Sequence, residues 1–253
     1  MGLKALIFSL LPESVQHKII MRKTGFRFIE NAHFTPTLAG QAYIPPKSET
    51  WARRFSKAYG HEPEIVKWFE RNLKKDDVVF DVGAHLGYFG MLVNKIHPGI
   101  TFYGFEGNWF IASYQKMNRA HMKHEGTWHI VEKLVANKDE GEFISINQFL
   151  KKNPTPSIFQ MDVDGEEINV LSGAGSLLQA GKTTFLIEVH PKDLADRHQS
   201  VDAFLNLFDT SKYDLMYLPQ LRSIEAKWKD HLTAEDRSDE FYLLANPKGQ
   251  QRL

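Results

Sequence analysis

Cysteine is absent from this chain. Its absence excludes disulfides and thiol chemistry and fits a reducing compartment, so a cytoplasmic location is expected. Excess charge is absent as well: 31 Lys and Arg face 31 Asp and Glu. With no net basic field, nucleic acid is not an expected partner. No apolar run approaches the roughly 20 residues that a membrane-spanning helix needs. The opening MGLKALIFSLLPESV carries one lysine and a short apolar stretch. Pro12 and Glu13 follow where a signal peptide would need small residues, and Leu6 stands where N-myristoylation needs Ser or Thr. Internal repeats and low-complexity tracts are also missing. The 253 residues are enough for one sizeable core, and one α/β domain behind an N-terminal extension is the natural organisation.

The most informative segment runs from Val78 to Phe89, VVFDVGAHLGYF. An apolar, β-branched run passes through two glycines into helix-compatible residues, the sequence form of a strand, a tight ligand-binding turn and a helix start. The segment TFYGFE (Thr101 to Glu106) reads as a second strand ending in a carboxylate. Glu106 lies 19 residues after Gly87, about where a ribose-binding acid is expected in such a unit. The pair predicts an adenosine-containing cofactor, with Glu106 accepting both ribose hydroxyls.

The glycine spacing bears on which cofactor. Dinucleotide folds favour G-x-G-x-x-G, whose second glycine lets the backbone approach a pyrophosphate. Here Gly83 and Gly87 flank His85, whose imidazole would fill that space. No Gly-Lys-Ser/Thr follows the turn, so the P-loop pattern fails too. S-adenosylmethionine has no pyrophosphate, and a looser turn through Gly83, Ala84, His85 and Gly87 suffices for it. Asp81 can accept a hydrogen bond from its ammonium group. An NAD(P)-dependent oxidoreductase and a non-catalytic module on the same fold are the alternatives.

Six segments, in this order and spacing, resemble the FkbM-type methyltransferases. They are YGHEPE (Tyr59 to Glu64), DVGAHLGYFG (Asp81 to Gly90), FEGN (Phe105 to Asn108) with a later Asn118, LVANKDEG (Leu134 to Gly141), FQMDVDGEEINVLSGA (Phe159 to Ala174) and LIEVHP (Leu186 to Pro191). The resemblance extends from about Tyr59 to Pro247. This chain has His85 where the family usually has Asn, Gly107 and Trp109 in place of prolines, and Asp164 in place of Glu. The resemblance implies S-adenosylmethionine as methyl donor and a hydroxyl acceptor on a sugar, glycan or polyketide-like metabolite.

Residues 1–57 are expected to form a helical extension and residues 58–253 the cofactor-binding domain. Leu3 to Leu11 and Val15 to Met21 have the spacing of short amphipathic helices, and Lys18, Arg22, Lys23 and Arg27 make a basic cluster. A helical cap on the main domain accounts for them, as does peripheral membrane contact through residues 1–25. From Pro63 onward, helix and strand patterns alternate. Strands are expected at 78–82, 101–106, 128–135, 157–161, 184–189, 213–218 and 240–245, with helices near 63–73, 88–96, 108–123 and 166–180. A short strand at 142–146 and a helical turn at 147–152 are expected in addition. This is a doubly wound, mainly parallel, seven-stranded Rossmann-like sheet of the class I methyltransferase type, closing in an antiparallel hairpin.

Ligands of such sheets bind at the carboxyl ends of the strands. The fourth core strand delivers Asp162 and Asp164 there, and the fifth delivers Glu188 and His190. Asp162 and His190 are the candidate bases for deprotonating a hydroxyl. His190 qualifies because an unperturbed imidazole, with a pKa of about 6.5, is mostly neutral near pH 7. Glu188 is expected to orient His190 or to support an arginine that holds substrate. A divalent ion on Asp162 and Asp164 is the alternative use of the cluster, although no EF-hand spacing is present. Asn108 and Asn118 are expected to organise the loop and helix after Glu106, and Val135 and Ala136 to face the adenine. Tyr59 and Glu62 are expected in a lid over the acceptor, and Trp228 is the candidate substrate-facing aromatic.

Overall fold

Runs of β-branched and aromatic residues, buried on both sides, make the centre of the sheet. β8 (Ile158–Met161), β9 (Thr184–Val189) and β11 (Phe241–Pro247) are buried along their whole length. Continuous apolar strands of this kind need helices on both faces. The structure, a computed structural model, describes residues 62–122, 126–220, 223, 226–250 and 252, together with the backbone of 35–37 and 40–42. Those last two stretches are β1 (Thr35–Thr37) and β2 (Gly40–Ala42), an antiparallel pair. The rest of the expected N-terminal extension, its basic cluster and Tyr59 lie outside the described residues.

The remaining elements, in chain order around those already named, are α1 (Pro63–Asn72), β3 (Val78–Val82), α2 (Tyr88–Ile96), β4 (Thr101–Phe105), α3 (Trp109–His121), β5 (Thr127–Val131), β6 (Leu134–Val135), β7 (Phe143–Ile144), α4 (Ile146–Phe149), α5 (Glu167–Ser172), α6 (Gly175–Ala180), α7 (Pro191–Asp196), α8 (Val201–Leu205) and β10 (Tyr213–Pro219). Seven strands form the main sheet in the order β10-β11-β9-β8-β3-β4-β5. The pairs β3–β4, β3–β8, β4–β5 and β8–β9 are parallel, whereas β11 is antiparallel to both β9 and β10. The expected closing hairpin is therefore present, with its second strand inserted inside the sheet. One core packs α1, α2 and α3 on one face, and a second packs α4 to α8 on the other.

Three local outcomes differ from the sequence expectation. The strand expected at 128–135 divides: β5 stays in the main sheet, while β6 leaves it to pair in parallel with β7. The ladder stops because β4 ends at Phe105, and the Glu106 amide takes the Val131 carbonyl at 3.0 Å as its chain turns away. The helix expected at 166–180 breaks at Gly173, where a Cβ would lie 2.2 Å from the Ala136 carbonyl oxygen. Finally, α7 and α8 lie in a stretch that shows no helical period. They deliver mainly Leu194 and Phe204 to the core, too few apolar positions to mark a face.

At the amino end of the sheet, Asp77 is buried and fully engaged. Arg252 meets it with two hydrogen bonds of 2.6 and 2.7 Å, Ser157 Oγ donates at 2.7 Å and the Lys74 amide at 2.7 Å. Burial alone would raise the Asp77 pKa. The bonds from Arg252, Ser157 and Lys74 outweigh it and hold the carboxyl below its usual range.

Candidate active site

The turn after β3 needs glycine for two reasons. Gly83 has φ +84°, which side chains disfavour, and a Cβ there would lie 1.8 Å from the Asp162 carbonyl oxygen. The β3 and β8 ends therefore approach backbone to backbone. Gly83 and Ala84 both donate to the Phe105 carbonyl, at 3.1 and 3.0 Å, which locks the turn to β4. His85 then adopts φ +47°, and its amide donates to Glu106 Oε2 at 3.1 Å. The other carboxylate oxygen of Glu106 accepts the Asn108 amide at 2.7 Å. Burial raises the Glu106 pKa, with the two amide bonds pulling the other way. Asn108 Oδ1 caps α3 by accepting from Phe110 and Ile111. Asn118 Nδ2 holds the Leu86 carbonyl at 2.8 Å.

Beside this carboxylate opens a cavity of about 410 Å³. Gly83, His85, Glu106, Val135, Asp162 and Asp164 are among its lining residues. Leu134, an exposed apolar side chain, stands at the wall opposite Gly107. Ala84, Gly87, Asn108 and Ala136 do not line it. Asp81 does not line it either. At 1 % exposure its Oδ2 has no hydrogen-bond partner among the described residues. Burial pushes its pKa well up, and the charges of Asp162, Glu106 and Glu62 push it further.

Across the sheet from Asp81 runs a buried polar chain. Gln160, the register partner of Asp81 on β8, approaches the Tyr242 hydroxyl through Nε2 at 3.5 Å. That hydroxyl donates to Glu62 Oε2 at 2.7 Å. Glu62, at φ +53°, is the N-terminal cap of α1 and is 2 % exposed. It is thus buried against β11 and is not among the residues that line the cavity described above.

His190 follows β9 and is 4 % exposed. Its Nε2 faces three carboxylates: Asp162 at 3.5 Å, Asp164 at 3.6 Å and Glu188 at 3.7 Å. Its Nδ1 lies 2.8 Å from Glu167, which is wholly buried. The expectation of a neutral imidazole at pH 7 is corrected here. Burial lowers the His190 pKa, but the Glu167 hydrogen bond and the charges of Asp162, Glu167 and Asp164 outweigh it and raise the value to about 8. The partner of Nδ1 is Glu167, while Glu188 stands on the other side of the ring. Glu167 carried no sequence expectation, yet helical spacing puts it on the stripe of Val170, Leu171 and Ala174, and that signal was available.

Asp162, Glu188 and His190 each offer one donor atom within 4.8 Å of the others, a group of three that could hold a divalent ion and that does not include Asp164. Trp228 is half-buried and packs on the core that holds α1 to α3, away from the cavity lining. The cavity suits S-adenosylmethionine on this structure's own features. The Gly83 cradle is one that a Cβ would fill, and Glu106 is oriented by two amides.

The methyltransferase FkbM domain matches residues 50–213. A comparison with curated proteins gives no match. Among solved structures, a putative rRNA-methylase from Clostridium thermocellum is similar at 10 % identity, covering 74 % of this chain and 96 % of that one, with a TM-score of 0.52. A methyltransferase FkbM from Methylobacillus flagellatus KT shares 14 % identity over 67 % of this chain and 44 % of its own, with a TM-score of 0.43. A putative methyltransferase from Streptococcus mutans, solved in complex with SAH, shares 11 % identity over 72 % of this chain and 95 % of its own, with a TM-score of 0.44.

Proposed function

The chain belongs to the FkbM methyltransferase family and is an S-adenosylmethionine-dependent methyltransferase, and we propose that it methylates a hydroxyl oxygen of a small-molecule or glycan acceptor. The observation that carries the oxygen reading is the pair formed by Asp162 Oδ1 and His190 Nε2, 3.5 Å apart at the carboxyl ends of β8 and β9. An alcohol becomes a competent nucleophile only as its proton leaves, and a positioned base is worth about 10²–10⁴-fold. Asp162, which lines the cavity, and His190 behind it supply acceptor atoms for that proton. Above a pH of about 8 the imidazole is free to take it; below that pH the role falls to Asp162.

Glu106 would hold the ribose hydroxyls and Val135 would flank the adenine, while Asp81, outside the cavity lining, would reach the ammonium group through water. The bound cofactor supplies an electrophilic methyl group. Residues that fix the acceptor in line with it can supply about 7–11 kcal/mol by orientation alone. Balanced charge supports a small acceptor over a nucleic acid, and the absence of cysteine fits the cytoplasm as the site of reaction. None of the described helices is long and apolar enough to cross a membrane.

Incubation with methyl-labelled S-adenosylmethionine and paired acceptors, glycosides and their amino-sugar counterparts, tests the oxygen reading. Label in a methyl ether is expected. Label on nitrogen alone would overturn it.

A further inference from the structure

Glu167 opens α5 on the helix's buried side and is 0 % exposed. One of its oxygens, Oε1, accepts from Gly165 N at 3.3 Å and His190 N at 3.1 Å, and lies 2.8 Å from His190 Nδ1. The other, Oε2, has no partner among the described residues. Burying a carboxylate is costly, and leaving one oxygen unsatisfied adds to the cost. What distinguishes Glu167 is the set of groups it holds.

We propose that Glu167 is the positioning residue of His190: it fixes the imidazole as the Nδ1–H tautomer and turns Nε2 toward Asp162 to receive the acceptor's proton. The catalytic half of this assignment rests on the methyltransferase reading above; the tautomer half does not. A carboxylate only accepts hydrogen bonds, so the nitrogen facing Glu167 carries the proton. The lone pair of the neutral ring is then on Nε2, the atom that faces Asp162, Asp164 and Glu188. A carboxylate that orients a histidine through Nδ1 and sets its tautomer is a recurrent device for making the second nitrogen reactive.

The same oxygen also ties two loops together. Its bond from Gly165 N holds the turn in which Asp164 has φ +45° and Gly165 has φ +90°. Its bond from His190 N ties that turn to the loop after β9. One buried oxygen thus fixes both the ring and the chain that carries Asp162 and Asp164. In the proton transfer, the acceptor's O–H bond breaks, the electron pair stays on oxygen, and an Nε2–H bond forms. The resulting imidazolium lies between Glu167 on one side and the carboxylates on the other.

The test is nitrogen NMR of the full chain labelled with ¹⁵N-histidine, recorded above pH 9, with the His190 signals assigned from their loss in His190→Asn. The wild type is expected to show Nδ1 protonated and Nε2 bare. In Glu167→Gln, whose amide can present either an oxygen or an N–H to the ring, the Nδ1–H share is expected to fall. A wild-type ring protonated on Nε2 overturns the proposal, and this holds even if the variant does not fold. An unchanged Nδ1–H share in Glu167→Gln overturns it as well. Failure of the wild type to bind S-adenosylhomocysteine would strike the methyltransferase reading and the catalytic half with it, while the tautomer result stands or falls by itself.

Discussion

Asp77 and Asp81 stand at opposite ends of one strand, both buried, and their surroundings could hardly differ more. Asp77 has a bidentate arginine, a hydroxyl and a backbone amide, and its pKa is held down. Asp81 has an orphaned oxygen and three carboxylates for neighbours, and its pKa is pushed well up. At the amino edge the charge is complete within the chain and serves the fold. At the carboxyl edge it is incomplete and suits a cationic ligand from outside. The fold thus keeps its stabilising ion pair and its proposed binding site at opposite ends of the sheet.

The largest expected effect comes from breaking this contrast at its stable end. Asp77→Ala leaves Arg252 buried without its partner and should cost about 3–5 kcal/mol in urea unfolding. Asp81→Asn, which removes a carboxylate that nothing compensates, should leave stability unchanged or raise it by about 1–3 kcal/mol. Equal destabilisation by the two substitutions would erase the distinction between the edges.

A smaller effect sharpens the comparison through pH. The folded pKa of His190, about 8, lies above the unfolded value of about 6.5. Its contribution is therefore fully present below pH 6.5 and is lost as pH rises through 8, an amount of about 2 kcal/mol. Asp77 behaves in the opposite sense. Its folded pKa is depressed, so its contribution is present above the unfolded value of about 3.9 and is lost as pH falls through the folded one. Denaturation midpoints measured from pH 6 to 9 should decline in the wild type and stay flatter in His190→Asn. A parallel decline in both proteins would remove His190 as its source.

The fold and the carboxyl side of this contrast were largely legible in the sequence, whereas Asp77 and Arg252 carried no expectation. The strand–glycine–helix run located β3 and its turn, the spacing to Glu106 placed a carboxylate where two amides now orient it, and the alternation of elements foretold the sheet and its antiparallel closure. Less legible were features that depend on which face of an element a residue occupies, or on backbones meeting across the fold. Glu167 looked like one of two consecutive glutamates, and only the register of α5 separates the buried one from half-buried Glu166. The chain from Gln160 through Tyr242 to Glu62 joins residues 180 positions apart. The division of the strand at 128–135 and the break at Gly173 follow from contacts with β4 and Ala136, which no local pattern encodes. The charge of His190 was misjudged for a related reason: its ordinary pKa is a property of the residue, and the raised one belongs to the carboxylates that surround it.

The central claim is that the carboxyl edge, organised around Glu106, is the cofactor site. Isothermal titration of S-adenosylhomocysteine into the wild type and Glu106→Ala tests it most directly. The account predicts one-to-one binding by the wild type and an affinity lower by at least tenfold in the variant, since hydrogen bonds to a charged group are worth about 1.5–3 kcal/mol. No heat from the wild type at millimolar ligand, or equal affinity in the two proteins, would contradict it.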